Sequence, residues 1–82
     1  MSYKFTLEGE AFEFFLAQRL DRRRKILAWI ETLKASPFTA GGQTIVDEVG
    51  REIQVCAIQG FLVYHWAEHL VETIHIVRIE KA

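Results

Sequence analysis

Cysteine occurs once in this 82-residue chain, so no internal disulfide can staple it. Proline and methionine also occur once each, and proline-free stretches leave room for uninterrupted regular structure. No apolar run approaches the roughly 20 residues a membrane-spanning helix needs, so no membrane association is expected. Positive charge is not in excess: Lys and Arg number 10 against 11 Asp and Glu, for a formal net charge of -1. Dedicated nucleic-acid binders are usually basic, because phosphate contacts dominate their affinity. The balance therefore argues against tight, unassisted binding to bulk RNA or DNA, and leaves room for a local basic patch. No Cys/His spacing makes a zinc site, and Gly41-Gly42 is loop punctuation rather than a phosphate-cradling loop. Neither a metal nor a cofactor is expected. A free thiol without a secretion signal favours a reducing, cytoplasmic setting.

Hydrophobic residues make up 50% of the chain and aromatic residues 12%. That content supports folding rather than disorder, and the length holds one core, so residues 1–82 read as a single domain. So small a domain is marginally stable. An apolar surface covered by a partner protein or by a second copy of the chain would fit both its size and its apolar content.

The hydropathy pattern gives an element order. Ser2 to Leu7 alternates, with Tyr3, Phe5 and Leu7 on one side of a half-buried strand. Thr6 is placed to cap a helix over 9–19, in which Phe12, Phe15 and Leu16 follow helical spacing and Phe14 falls off that face. Asp21 opens a second helix to about Ala35, with Ile26, Ile30 and Leu33 as its main stripe and Leu27 and Trp29 widening it. Ser36-Pro37 stops it, and Thr39 to Gly42 is a loop. A short strand over Gln43–Val46 turns at Asp47-Glu48-Val49-Gly50. Three strand-like runs follow, Arg51–Val55, Phe61–Trp66 and Thr73–Arg78, separated by brief turns at Gln59-Gly60 and Glu68-His69. The expected architecture is α+β and two-layered: a β-α-α-β-β-β order, an antiparallel sheet, and a helical hairpin on one face, leaving the other face for a site.

This order, with several local motifs, resembles the RelE/ParE toxin superfamily of bacterial toxin–antitoxin systems. Phe5-Thr6, Glu10-Ala11 and Phe15-Leu16 resemble the family's first strand and helix. Arg24 to Leu27, with Ile30, Leu33 and Ser36-Pro37-Phe38, resembles its second helix and exit. Gly50 to Val55, Leu62-Val63-Tyr64 and Ile74 to Arg78 resemble its later strands. The resemblance implies a growth-arresting toxin of a type II system, made beside a cognate antitoxin that wraps and blocks it. RelE-like members cut mRNA on the ribosome; ParE-like members act on DNA gyrase. Gly60-Phe61 stands where RelE-like nucleases carry an arginine, which points toward weak or lost cleavage. A degenerate member acting only as a protein-interaction module is a further reading.

Metal-independent RNA cleavage needs a base for the 2′-hydroxyl, an acid for the leaving oxygen and a cation for the charged intermediate. Arg51, His65, His75 and Arg78 are the candidate catalytic residues. Arg51 matches a family position; it could instead tie the turn to Asp47 or Glu48. His65 shares a strand face with Phe61 and Val63, and His75 with Thr73 and Val77. Whether the two histidines share one face depends on a register the sequence leaves open. Arg22-Arg23-Arg24-Lys25 opens the second helix, where positive charge opposes the dipole, and is the candidate substrate contact. Phe14, Phe61 and Trp66 are candidate partner-binding aromatics. Cys56 reads as a small buried hydrophobe.

Overall fold

A computed structural model describes residues 3–37, 42–58 and 60–82. Phe38, the loop expected at Thr39–Gly41, and Gln59 of the expected turn lie outside the described residues. The elements are β1 (Lys4–Leu7), α1 (Gly9–Ala17), α2 (Leu20–Ala35), β2 (Gln43–Val46), β3 (Glu52–Ile58), β4 (Phe61–Glu68), a 3-10 turn (His69–Val71) and β5 (Thr73–Lys81). No helix among the described residues is long and apolar enough to cross a membrane.

The strands form one five-stranded sheet in the order β1-β5-β4-β3-β2. The three pairings from β2 to β5 are antiparallel, as the alternating runs imply. The β1–β5 pairing is parallel, Lys4 opposite Thr73 through Leu7 opposite Ile76, so the sheet is mixed rather than wholly antiparallel. The reason is topological. The helical hairpin returns the chain so that β2 runs against β1, and three reversals then bring β5 into the direction of β1.

Helices lie on one face only. Ala11 of α1 and Ile26, Ile30 and Leu33 of α2 form a buried cluster with Phe61, Val63, Ile74, Ile76 and Ile79 of the sheet. The main α2 stripe is the one its spacing predicts, with Trp29 packed against it, whereas Leu27 is exposed. For α1 the outcome differs. Ala11 is fully buried and Phe14 and Phe15 pack on the core, whereas Phe12 and Leu16 are 49% and 48% exposed. Ala11-Phe14-Phe15 and Phe12-Phe15-Leu16 both satisfy i, i+3, i+4 spacing. The first wins because a small residue at the contact lets the α1 backbone come close to β5. The helix start also differs from expectation. Glu8 occupies the cap position, and Thr6 Oγ1 instead donates to the Glu8 carboxylate at 2.9 Å.

Two local features set the side opposite the helices. The first is a β-bulge in β5: Tyr64 pairs with Arg78 and His65 with Ile76, leaving Val77 without a direct partner. The extra residue resets the alternation. Ile74, Ile76 and Ile79 all reach the helix side, while His75 and Arg78 both reach the other. The second is the turn before β3. The Asp47 carboxylate accepts from Val49 N–H at 3.0 Å and Arg51 N–H at 2.8 Å, and Gly50 closes the turn at a φ of 84°, a conformation that suits glycine.

Ala11→Leu should overpack the α1–β5 contact and cost about 1–3 kcal/mol. Phe12→Ala should stay within about 0.5 kcal/mol, as surface changes do. Thermal unfolding followed by circular dichroism compares the two; the opposite ranking would put Phe12 in the core.

Candidate functional site

On β4, Phe61, Val63 and His65 are buried toward the helices. Alternation therefore sends Leu62, Tyr64, Trp66 and Glu68 to the open face. Around them stand the β5 side chains His75, Arg78 and Glu80, with Arg51 reaching in from the turn before β3. A cleft over this face is lined by Ile45, Ile53, Tyr64 and Val77, with Glu10, Asp47, Arg51 and Arg78 at its rim.

Trp66 is the centre of the arrangement. The His75 ring stacks on it with centroids 4.3 Å apart and planes 14° apart, and the Arg51 guanidinium carbon lies 4.6 Å from its ring centre. Both contacts are of kinds an electron-rich indole face favours. The Trp66 Nε1–H is buried without a hydrogen-bond partner among the described residues.

Each cation on this face already has a carboxylate. Arg51 Nε lies 2.7 Å from Asp47 Oδ2. The Arg51 backbone N–H, ahead of the other contacts, holds the Asp47 carboxyl below the usual carboxylate range. Arg78 contacts Glu80 at 3.0 Å and Glu10 at 3.8 Å, and lies 5.7 Å over the Tyr64 ring. Tyr64 in turn donates to Glu80 at 2.6 Å, a bond that pushes its phenol above the ordinary value. His75 sits between two acids: Nδ1 meets Glu8, and Nε2 meets Glu68 at 2.9 Å. Thr6 Oγ1, 3.2 Å from Nδ1, completes the cluster.

The structure thus brings together Arg51, His75, Arg78 and Trp66, and separates the other candidates from them. His65 lies on the opposite side of the sheet, 2% exposed, against Trp29 of α2. Burial drives its pKa down to about 4, while burial raises that of Cys56, whose Sγ is 3.3 Å from His65 Nε2. A neutral imidazole beside a neutral thiol is a core contact, not an activated nucleophile. The two histidines are on opposite faces because residues 65 and 76 pair directly, which puts 75 on the other side.

The aromatic trio divides as well. Phe61 is 5% exposed and meets Phe14 edge-on at 5.8 Å, so these two join the core rather than a partner-facing surface; only Trp66 looks outward. Apolar exposure falls elsewhere, notably at Phe12, Leu16, Leu20 and Leu70.

In the basic run, Arg23 caps the end of α1. It donates to the carbonyls of Leu16 at 2.6 Å and Gln18 at 2.9 Å, satisfying oxygens that a helix end leaves bare. Arg22, Arg24 and Lys25 are exposed near the start of α2. The carboxylates Glu8, Glu10, Asp47, Glu68 and Glu80 are the site residues that sequence reasoning missed as a set. Asp47 alone carried a signal, through the Asp-x-x-Gly turn ahead of Arg51.

With this geometry in hand, the chain can be compared with known proteins. No family model and no curated protein matches the sequence. Among solved structures the fold matches a chain of a bacterial toxin–antitoxin complex. That complex is RelBE2 from Mycobacterium tuberculosis, matched with a TM-score of 0.80 and 11% identity over 100% of both chains. At that identity, the likeness is one of fold.

The buried imidazole generates a pH prediction. Folded His65 titrates near 4 against an ordinary 6.5, so as pH falls the unfolded chain takes up the proton first. The neutral ring's contribution is complete above about pH 6.5 and drains between about 6.5 and 4, by roughly 3 kcal/mol. In urea titrations, wild type should lose more stability between pH 7 and pH 4.5 than His65→Leu. Equal losses would mean that the ring is hydrated in the folded state.

Proposed function

We propose that this chain is a RelE-like toxin component of a type II toxin–antitoxin system, acting through the open face of its sheet and held in check by a cognate antitoxin. The observation that carries the reading is the full-length match in fold to a chain of the RelBE2 toxin–antitoxin complex. The motif order of the sequence supports it independently, since it points to the same superfamily without reference to coordinates.

The open face holds the residue types that RNA cleavage requires. Arg51 and Arg78 are the cations suited to a phosphate. His75, flanked by Glu8 and Glu68, supplies groups able to take or give a proton. Yet both arginines are already paired with carboxylates, and an incoming phosphate would have to displace Asp47, Glu80 or Glu10. That pairing favours weak or lost cleavage of ribosome-bound mRNA. It equally suits a ParE-like role at DNA gyrase, in which the face binds a protein and performs no chemistry.

Inducible expression of the chain alone in bacteria tests the proposal. Growth should stop, and co-expression of a cognate antitoxin should restore it. Mapping of mRNA ends and assay of DNA breaks then separate the two targets. Arg51→Ala combined with Arg78→Ala should relieve arrest while the protein still accumulates in folded form. Undiminished arrest by the double variant would remove the arginines from the site, and normal growth with the parent chain would overturn the toxin reading.

A further inference from the structure

The cations of the molecule differ in their pairing. Those of the open face are neutralised by neighbouring carboxylates. On the helix side, Arg22 and Lys25 of α2 and Lys81 of β5 line a cleft of about 330 Å³ beside Gly60, Phe61 and Ala82. None of these three makes an ion pair among the described residues. The cleft is not a by-product of helix stability, since Arg22 stands in the first turn of α2, where positive charge opposes the dipole.

A second cleft, of about 380 Å³, continues from the first along α2 and shares Lys25 and Phe61 with it. Its walls are apolar for most of their extent, with Ile26, Ala28 and Trp29 on α2 and Ile58 at the end of β3. It exists because the two helices sit over β5, β4 and β1, and the helix side of β3 extends past them. Together the two clefts make one groove that is greasy along α2 and basic at the β4–β5 end. Lys25 to Thr32 alone spans about 10 Å at the helical rise.

From this groove we infer a docking surface for a protein segment that places apolar side chains over Trp29 and Ile58 and carboxylates against Arg22, Lys25 and Lys81. Charge complementarity selects the carboxylates: the three cations are desolvated by no partner of their own and meet an acidic segment without displacing anything. The apolar stretch selects a peptide over a phosphodiester chain. A phosphate laid along Trp29 and Ile58 would be stripped of water with Lys25 at one end as its charged donor, whereas an amphipathic helix or strand buries its apolar side there. The inference goes beyond the proposed function, which concerns the opposite face, and stands on the groove alone.

A fluorescein-labelled amphipathic peptide of Leu and Glu, about four helical turns long, is the probe. Anisotropy titrations compare it with the same peptide carrying Lys for Glu, and with a single-stranded RNA oligonucleotide of equal negative charge. The Leu/Glu peptide should bind and the Leu/Lys peptide should not. Arg22→Glu combined with Lys25→Glu should weaken binding at least about tenfold, or about 1.4 kcal/mol; both positions are exposed, and far-UV circular dichroism checks that the variant folds. Tighter binding of the RNA, unchanged affinity in the folded variant, or no binding of the Leu/Glu peptide would each overturn the assignment. None of these readouts depends on growth arrest, so failure here and failure of the toxin reading are told apart.

Discussion

The unpaired Val77 in β5 decides which side chains share a face. Without that extra residue, strict alternation after Ile74 and Ile76 would carry Arg78 into the core and turn Ile79 outward. With it, three isoleucines fill the interior and an arginine joins the opposite surface. The cost is one disrupted step in the ladder. The return is a last strand that serves as both the middle of the core and one wall of the open face. Tyr64, pairing directly across the bulge, places its ring under Arg78 and its hydroxyl on Glu80.

Electrostatics then distinguishes the two sides of the molecule. The open face carries Arg51, Arg78 and His75, each with its acid, so its field is short-ranged and its side chains are held in place. Self-paired arginines attract anions weakly from a distance, but the same pairs fix the orientation of both guanidinium groups. On the helix side Arg19 and Lys34 pair with Asp21 and Glu31, while Arg22, Lys25 and Lys81 make no ion pair among the described residues. A net charge near zero thus conceals an uneven distribution, and composition alone reports only the average.

Much of the fold was legible because it rests on periodicity. Ile26, Ile30 and Leu33 gave the buried stripe of α2, and the alternating runs gave β3, β4 and β5. The failures have local causes. In α1 two stripes fit the same spacing, and only the proximity of β5, which rewards alanine, breaks the tie. The parallel pairing of β1 with β5 joins residues 69 apart, Thr6 and His75 among them, and no local pattern encodes a contact of that range. For the site, Arg51, His75, Arg78 and Trp66 were recognisable by type, while His65 was not separable from His75 because the even loop between Glu68 and Thr73, which sets their register, cannot be counted before the strand ends are known. The carboxylates Glu8 and Glu68 approach His75 from two other elements, so their grouping exists only in three dimensions. Arg23 was read with its neighbours as part of a charge run, and its bonds to the end of α1 show that adjacent like residues can have unrelated tasks.

The place of β5 in the sheet bears on how the chain matures. The last strand in sequence order takes an interior place, flanked by β1, the first in sequence order, and by β4. Until it arrives, β1 has no neighbour in the sheet and the helices have only part of their core beneath them. Such distant pairing slows closure, since loop entropy must be overcome before the contact forms. A chain whose β5 has not yet emerged would therefore hold neither surface in working order.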